Sequence, residues 1–272
     1  MKKFLVTLTA FICLISSGCF QGSSNLTIND DGTVFLKNRF LGVPFIAEQM
    51  EQLKKNFEDK SNAEISPVSE NNLSGYEVTM NYPDVKSFAA DGISLYSTHE
   101  GKCKGIRMKD NWFFDVYNFD LLFSNASQFS PTEAAAVQSI LSQVAFDMTI
   151  ALPYVPDSHN ADKIDATNKI LTWNLAPAML SGNDKHMRVQ FKIWNKSHVV
   201  LTLIFGVILF AATMFFFNKV RAEESESIAK DLRLKRNIFA GLLAALLIIS
   251  IGMLLIPVEF TDADIISAVA RD

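Results

Sequence analysis

The sequence predicts an α+β protein, an extracytoplasmic curved antiparallel sheet with two or three packed helices, followed by a transmembrane helical hairpin. Three observations lead there. Two runs near the C-terminus, Val199 to Phe217 and Ile238 to Val258, contain no charged side chain, and about 20 apolar residues cross a hydrocarbon core of about 30 Å as a helix. Ahead of them, several segments alternate apolar and polar residues with period two, the mark of half-buried strands. Between those segments, apolar stripes at helical spacing follow Pro44 and Ser130.

The chain has 272 residues, 49% of them hydrophobic and 20% charged, with a formal net charge of -4, an average over a membrane part and a soluble part. The basic residues are dispersed, and their densest cluster adjoins a span, where membrane orientation accounts for it. Nucleic-acid binding is therefore not expected. The cysteines Cys13, Cys19 and Cys103 provide no intramolecular disulfide framework. Cys103 reads as a reduced, partly buried thiol.

Residues 1–18 read as a signal peptide: Lys2 and Lys3 form a cationic start, and Phe4 to Ile15 is too short to span a bilayer. The stretch Leu14-Ile15-Ser16-Ser17-Gly18-Cys19 resembles the lipobox of bacterial lipoproteins. That resemblance implies diacylation of the Cys19 thiol and cleavage before it, although Ser16 stands where leucine is commonest. Ser16-Ser17-Gly18 also satisfies the small-x-small rule for ordinary cleavage after Gly18. Both routes export the chain from Cys19 onward. Residues 19–24 are expected as a lipidated tether and 25–196 as the extracytoplasmic domain.

In that domain Leu26 and Ile28, then Val34, Leu36, Asn38 and Phe40, alternate about the turn signal Asp30-Asp31-Gly32. Pro44 opens a helix whose stripe is Ile46, Met50, Leu53 and Phe57. Tyr76 to Tyr82 alternate as a strand, and Asp84 to Ala90 form a short helix. The aromatic stretch Trp112 to Phe123 is expected to be the central strand, with Phe113, Tyr117, Phe119 and Phe123 on one face. Ser130-Pro131-Thr132-Glu133 is a capping box with proline at the first helical position. Further strands are expected at Phe146 to Leu152, Ile170 to Leu175 and Met187 to Trp194, separated by polar loops.

The hairpin occupies 197–258 with a connecting loop at 218–237, and an acidic tail runs from 259 to 272. Lys219, Arg221, Lys230, Arg233, Lys235 and Arg236 place that loop in the cytoplasm, which puts the tail outside. The expected location is the bacterial cytoplasmic membrane. Within the second span, Gly241 and Ala245 form a small-xxx-small pair of the kind that lets helices approach closely. Packing against the first span is the default for that pair, and oligomerisation the sharper expectation.

Chemistry-bearing motifs are scarce. His99, His159, His186 and His198 show no metal-ligand spacing, and Asp157, His159, Asp162 and Asp165 lack the central glycine of a calcium loop. No nucleophile elbow, dinucleotide fingerprint or phosphate-binding loop occurs. No catalytic residue, metal or cofactor is expected. A third reading is an enzyme with a noncanonical site, for which Asp115, Asp120 and Asp147 are the only carboxylates within strongly apolar strands.

The order of Cys19, the turn Asp31-Gly32-Thr33, a long ectodomain, Leu171-Thr172-Trp173-Asn174-Leu175 and an immediately following span resembles the LppM-like family of bacterial envelope lipoproteins over residues 19–217. The resemblance implies a curved antiparallel sheet able to hold lipid, and it implies no catalytic residue. The expected function is a membrane-anchored envelope lipoprotein whose domain binds a lipid or other hydrophobic ligand at the bilayer surface, lined by Phe113, Tyr117, Phe119 and Phe123. The alternative is a non-catalytic accessory or assembly subunit. Its partners would be membrane lipids, a membrane protein or a second copy of the chain engaged through the hairpin.

Overall fold

A computed structural model describes residues 20–44, 47–58, 60–91, 105–123, 144–181 and 184–266. They fall into two compact units. The second consists of Lys109–Val116 with Trp194–Phe260, and the first takes the rest of the described chain. Cys19, Cys103, the signal segment and the helix expected from Ser130 lie outside the described residues.

In the first unit, β1 (Phe20–Ile28) and β2 (Val34–Gly42) form a hairpin whose register runs from Ile28 opposite Val34 to Phe20 opposite Gly42. Gly32, at φ 87°, takes the left-handed turn position, and Asp31 accepts the Thr33 amide at 2.9 Å. Phe20 to Ser24, expected as a tether, is thus the first half of a strand. Helix α1 (Ala47–Glu58) follows, buried through Met50 and Phe57. The β3 (Ala63–Glu70) and β4 (Leu73–Tyr82) hairpin turns on Asn71 and Asn72, both at positive φ. Strand β3 was not expected from the sequence because Pro67 interrupts its pattern; it lies at the sheet edge, where a proline is tolerated.

Next come α2 (Val85–Asp91), β5 (Gly105–Asp110), β6 (Phe114–Phe123), β7 (Val144–Ala151), the two-residue strands β8 (Ser158–His159) and β9 (Lys163–Ile164), β10 (Ile170–Asn174), α3 (Ala176–Ser181) and β11 (Lys185–Trp194). They complete a seven-stranded sheet ordered β3-β4-β2-β1-β7-β10-β9 and a four-stranded sheet ordered β5-β6-β11-β8.

This corrects the expectation of one antiparallel sheet in two ways. First, β1 and β7 are parallel, from Phe20 opposite Val144 to Thr27 opposite Ala151. The hairpin to β2 occupies one edge of β1, and β7 reaches the other only after a long excursion, the condition a parallel pairing needs. Second, the aromatic strand β6 belongs to the smaller sheet. Its Phe119 stacks on Phe88 at 6.3 Å and meets Phe191 edge-on at 5.2 Å. Phe119, Leu121, Val189 and Phe191 share one buried cluster with Leu36, Val78, Met148 and Trp173 of the larger sheet. Described helices of 12, 7 and 6 residues are too short to cover seven strands, so a second sheet supplies the apolar layer.

The loop after β7 is tied down locally. Asn160 Oδ1 accepts from the Trp173 indole at 2.9 Å and from the Arg188 amide at 2.7 Å, which satisfies the polar edge of a fully buried tryptophan. At the tail, the turn Asp262–Asp264 is capped by Thr261, and the Ile266 amide donates to the Ile106 carbonyl on β5 at 2.9 Å.

In the second unit, α4 (Lys196–Ala222) and α5 (Glu226–Leu255) are 27 and 30 residues long, each with mean hydropathy 2.7 over its most apolar stretch, so both are long and apolar enough to cross a membrane. Residues 218–222 and 226–237, expected as loop, continue these helices, and the connection shrinks to 223–225. Past the apolar core the chain keeps its helix through pairs such as Lys235 with Asp231 four residues earlier, at 2.7 Å.

Candidate functional site

An apolar concavity of the second unit is built around the turn between β5 and β6. Asn111 folds that turn: its carbonyl accepts the Phe113 amide at 3.2 Å while its amide nitrogen donates to the Met253 carbonyl at 3.2 Å. Trp112 and Phe113 project from it. The Trp112 ring lies parallel to His198, 4.2 Å away at 9°, and its indole N–H donates to Thr202 at 3.0 Å. His198 sits in the first turn of α4, which Asn195 caps by accepting the His198 amide at 3.2 Å. Asn195 in turn donates its own amide to the Phe113 carbonyl at 2.8 Å.

Phe113, Phe114 and Val116 form a cluster with Val199, Met253, Val258 and Phe260. Two clefts open beside it. One, of about 430 Å³, runs between α4 and α5 from Phe113 and Trp194 past Gly206 to Leu246. The other, of about 320 Å³, lies under Trp112 along Phe205 and Ile249. Among the described residues, Thr202 and Ser250 supply their hydroxyls. Thr202 is already engaged, donating to the His198 carbonyl at 2.8 Å. Among the described residues no ionisable side chain lines either cleft, and their apolar walls suit hydrocarbon.

The four aromatic residues expected to share one wall fall into two groups. Phe113 lines both clefts, whereas Tyr117 stacks on Phe191 at 5.4 Å, Phe119 is fully buried, and Phe123 packs edge-on to Phe146 at 5.7 Å. Phe113 precedes β6 and belongs to the turn, so the strand's alternation does not reach it. Gly241 and Ala245 are exposed on α5, with open space where a Gly241 side chain would stand. The small residue facing the other helix is Gly206, whose Cβ position is 3.8 Å from Leu246.

Most of the remaining polar candidates are held by neighbours. Asp120, 7% exposed, lies 3.1 Å from Arg188 and 3.6 Å from His186. Asp147 is exposed and Asp115 half-buried. Asp157 pairs with Lys192 at 3.2 Å. Asp162 pairs with Lys185 at 2.7 Å and accepts the Asn174 amide at 2.9 Å. Burial is the largest influence on Asp162 and pushes its carboxyl up, but Lys185, Asn174 and Lys163 together hold it below the ordinary value. Asp165 is held well below it, chiefly by the Thr167 hydroxyl and the Ile170 amide. These carboxylates organise a loop, and among the described residues no group of three or more His, Cys, Asp or Glu is placed to hold a metal.

A third cleft, of about 550 Å³, lies in the first unit between α1 and the β3–β4 hairpin and reaches Tyr76. Sequence reasoning missed it. Its one sequence signal is Gly75, a glycine inside an alternating strand, which marks close backbone approach.

Fold and clefts define an α+β protein with a pair of helices suited to crossing a membrane. No family model matches the chain, and no curated protein matches it. Among solved structures, the folded domain of LppM from Mycobacterium tuberculosis, determined by NMR, is similar at 12% identity with a TM-score of 0.41, over 67% of this chain and 94% of that one.

Proposed function

We propose that this chain is a bacterial envelope protein, exported by residues 1–18, acylated at Cys19 and inserted through α4 and α5, whose α+β domain binds lipid or another hydrophobic ligand at the bilayer surface without catalysing a reaction. The observation that carries this reading is the Phe113 cleft: an apolar groove of about 430 Å³ in which Phe113, from the turn that leads into β6, and Trp194, the last residue of β11, line one wall with the two membrane-length helices. Trp112 and Trp194 beside it are the amphipathic aromatics favoured at the membrane interface. The six basic residues of the 218–237 segment support a cytoplasmic address for the helix connection. The bonding of Ile265 and Ile266 to β5 suits a tail on the side of the domain.

Native mass spectrometry of full-length protein extracted in mild detergent tests the reading. Lipid should co-purify, and Gly206→Leu, which places a side chain in the groove, should reduce its occupancy. If no lipid is retained and added lipid leaves the melting temperature unchanged, the reading fails.

A second reading, as an accessory subunit, is favoured by the outward placement of Gly241 and Ala245. Photo-crosslinking from either position should then trap one reproducible partner, and random neighbours would count against it.

A further inference from the structure

The chain enters the first unit at Phe20 and leaves it for α4 after Ile193, and these two residues stand at opposite ends of the unit. Phe20, one peptide bond after Cys19, opens β1 opposite Val144. Its ring meets Phe146 at 6.5 Å, and Phe146 meets Phe123, the last residue of β6, at 5.7 Å. From there β6 runs back along β1. Phe119 stacks on Phe88, and Phe88 meets Tyr82 at 5.5 Å, level with Val34 and Ile28 at the far end of β1. Strand β11 leaves in that same direction: Arg188 pairs with Asp120 while Phe191 stacks on Tyr117, so Ile193 lies further still from Phe20. At about 3.3 Å per strand residue, about 25 Å separates Phe20 from Ile193.

Neither connection has slack. Cys19 adjoins β1 directly, and Asn195 alone separates β11 from α4. A unit standing on its Ile193 end would hold Cys19 about 25 Å above a bilayer whose headgroup layer is only about 5–8 Å deep. A lipid on Cys19 would not reach it.

The two edges of the larger sheet differ in chemistry. Edge strand β3 carries Glu64 and Glu70 and no cation. At the other edge, Lys163 and Ile164 form β9, and Lys169 and Ile170 lead into β10. Among the described residues of the first unit, the exposed large aliphatic side chains are Ile164, Ile170 and Val155. Val155 lies between Leu152, whose amide donates to the Lys169 carbonyl, and Asp157, whose amide donates to the Gln190 carbonyl, so it belongs to the same side. Asp157 and Asp162 there are paired with Lys192 and Lys185. Aliphatic tips among lysines suit the surface of an anionic bilayer, from which the carboxylates of β3 are repelled.

We propose that the first unit lies lengthwise on the bilayer, with the acyl anchor at the Phe20 end, the passage into α4 at the Ile193 end, and the β9 edge docked on an anionic lipid surface. The proposal rests on the acylation of Cys19 proposed above and adds a docking surface that needs no ligand cavity.

The test places full-length Cys103→Ser protein in nanodiscs of phosphatidylethanolamine and phosphatidylglycerol that carry an acceptor dye on the headgroups. A donor dye is attached through single added cysteines, and intact mass establishes the acyl group that blocks Cys19. Energy transfer then reads height. Donors at Asp30→Cys, in the β1–β2 turn, and at Ser74→Cys, level with Phe20, should differ by far less than the ~25 Å of a standing unit. A donor at Ala166→Cys, in the β9–β10 turn, should lie about 25 Å nearer the headgroups than one at Ser66→Cys on β3, since six strand spacings separate those edges. Inserting ten Gly-Ser residues between Cys19 and Phe20, a reach of about 17 Å, should lift the Ser74 donor and leave the Asp30 donor in place. Replacing phosphatidylglycerol with phosphatidylcholine should raise the Ala166 donor. An unacylated Cys19 overturns this proposal together with the anchor on which it rests. In acylated protein, a Ser74 donor about 25 Å above the Asp30 donor, a Ser66 donor lower than the Ala166 donor, or heights indifferent to phosphatidylglycerol overturns this proposal and leaves the anchor standing.

Discussion

The indole of Trp112 lies flat on the imidazole of His198, with ring centroids 4.2 Å apart and planes 9° from parallel. The His198 Nδ1 is also 2.9 Å from the Trp112 carbonyl, so one residue of the β5–β6 turn holds the first turn of α4 by both backbone and side chain. Trp112→Ala removes the stack and the bond to Thr202 together. It should cost about 1–3 kcal/mol, summing one aromatic contact and one hydrogen bond. Trp112→Phe should recover roughly the stacking half. Thermal unfolding of the full-length protein in detergent reads both.

Asn38 is fully buried in β2, and neither its amide nitrogen nor its carbonyl oxygen is hydrogen-bonded. It occupies the core row between Leu36 and Phe40, opposite Ser24 and Val78. A buried amide without partners is a standing penalty, so Asn38→Leu should raise stability by about 1–3 kcal/mol. A lower denaturation midpoint for that variant would contradict this.

A Cβ on Gly75 would stand 1.9 Å from the Phe40 carbonyl oxygen and 2.7 Å from the Met50 side chain, whereas one on Gly32 would meet nothing. Gly32→Ala should therefore pay only for its positive φ, about 1–2 kcal/mol. Gly75→Ala collides with backbone and should cost clearly more. Comparing soluble yield and melting temperature of the two variants checks the order.

Acid should loosen the loop that follows β7. Asp165 is depressed by the Thr167 hydroxyl first and the Ile170 amide next, and Asp84, which caps α2, is lowered chiefly by the Ser87 amide. A carboxyl whose folded value is depressed contributes stability above its unfolded value, about 3.9, and loses it as pH falls through the folded one. Stability should therefore decline below about pH 4, and Asp165→Asn should flatten that decline while lowering stability at neutral pH. Equal pH profiles for variant and wild type would refute the assignment.

The bonds from Ile265 and Ile266 to β5 lead to a prediction about sidedness. In a Cys103→Ser background, Glu259→Cys should react with a membrane-impermeant thiol reagent from outside, and Glu224→Cys only after permeabilisation. The reverse pattern would invert the proposed orientation.

Much of this protein could be read directly from its residues. The absence of charge over two spans' length fixes two membrane-length helices, because an unpaired backbone in hydrocarbon leaves only helix or closed barrel. Period two in Val34 to Phe40, Tyr76 to Tyr82 and Met187 to Ile193 assigned the buried faces, since alternation is a property of one strand alone. Those signals are local. Which strand lies beside which is a long-range matter, and only the tertiary structure decided that β7 runs parallel to β1 and that β6 lies in a second sheet. It also separated Phe113 from Tyr117 and Phe119, turned Gly241 and Ala245 outward while Gly206 faces Leu246, and closed α1 over Tyr76. A small residue permits close approach but does not name the neighbour, and a tyrosine in an alternating strand does not reveal whether its hydroxyl will find a partner.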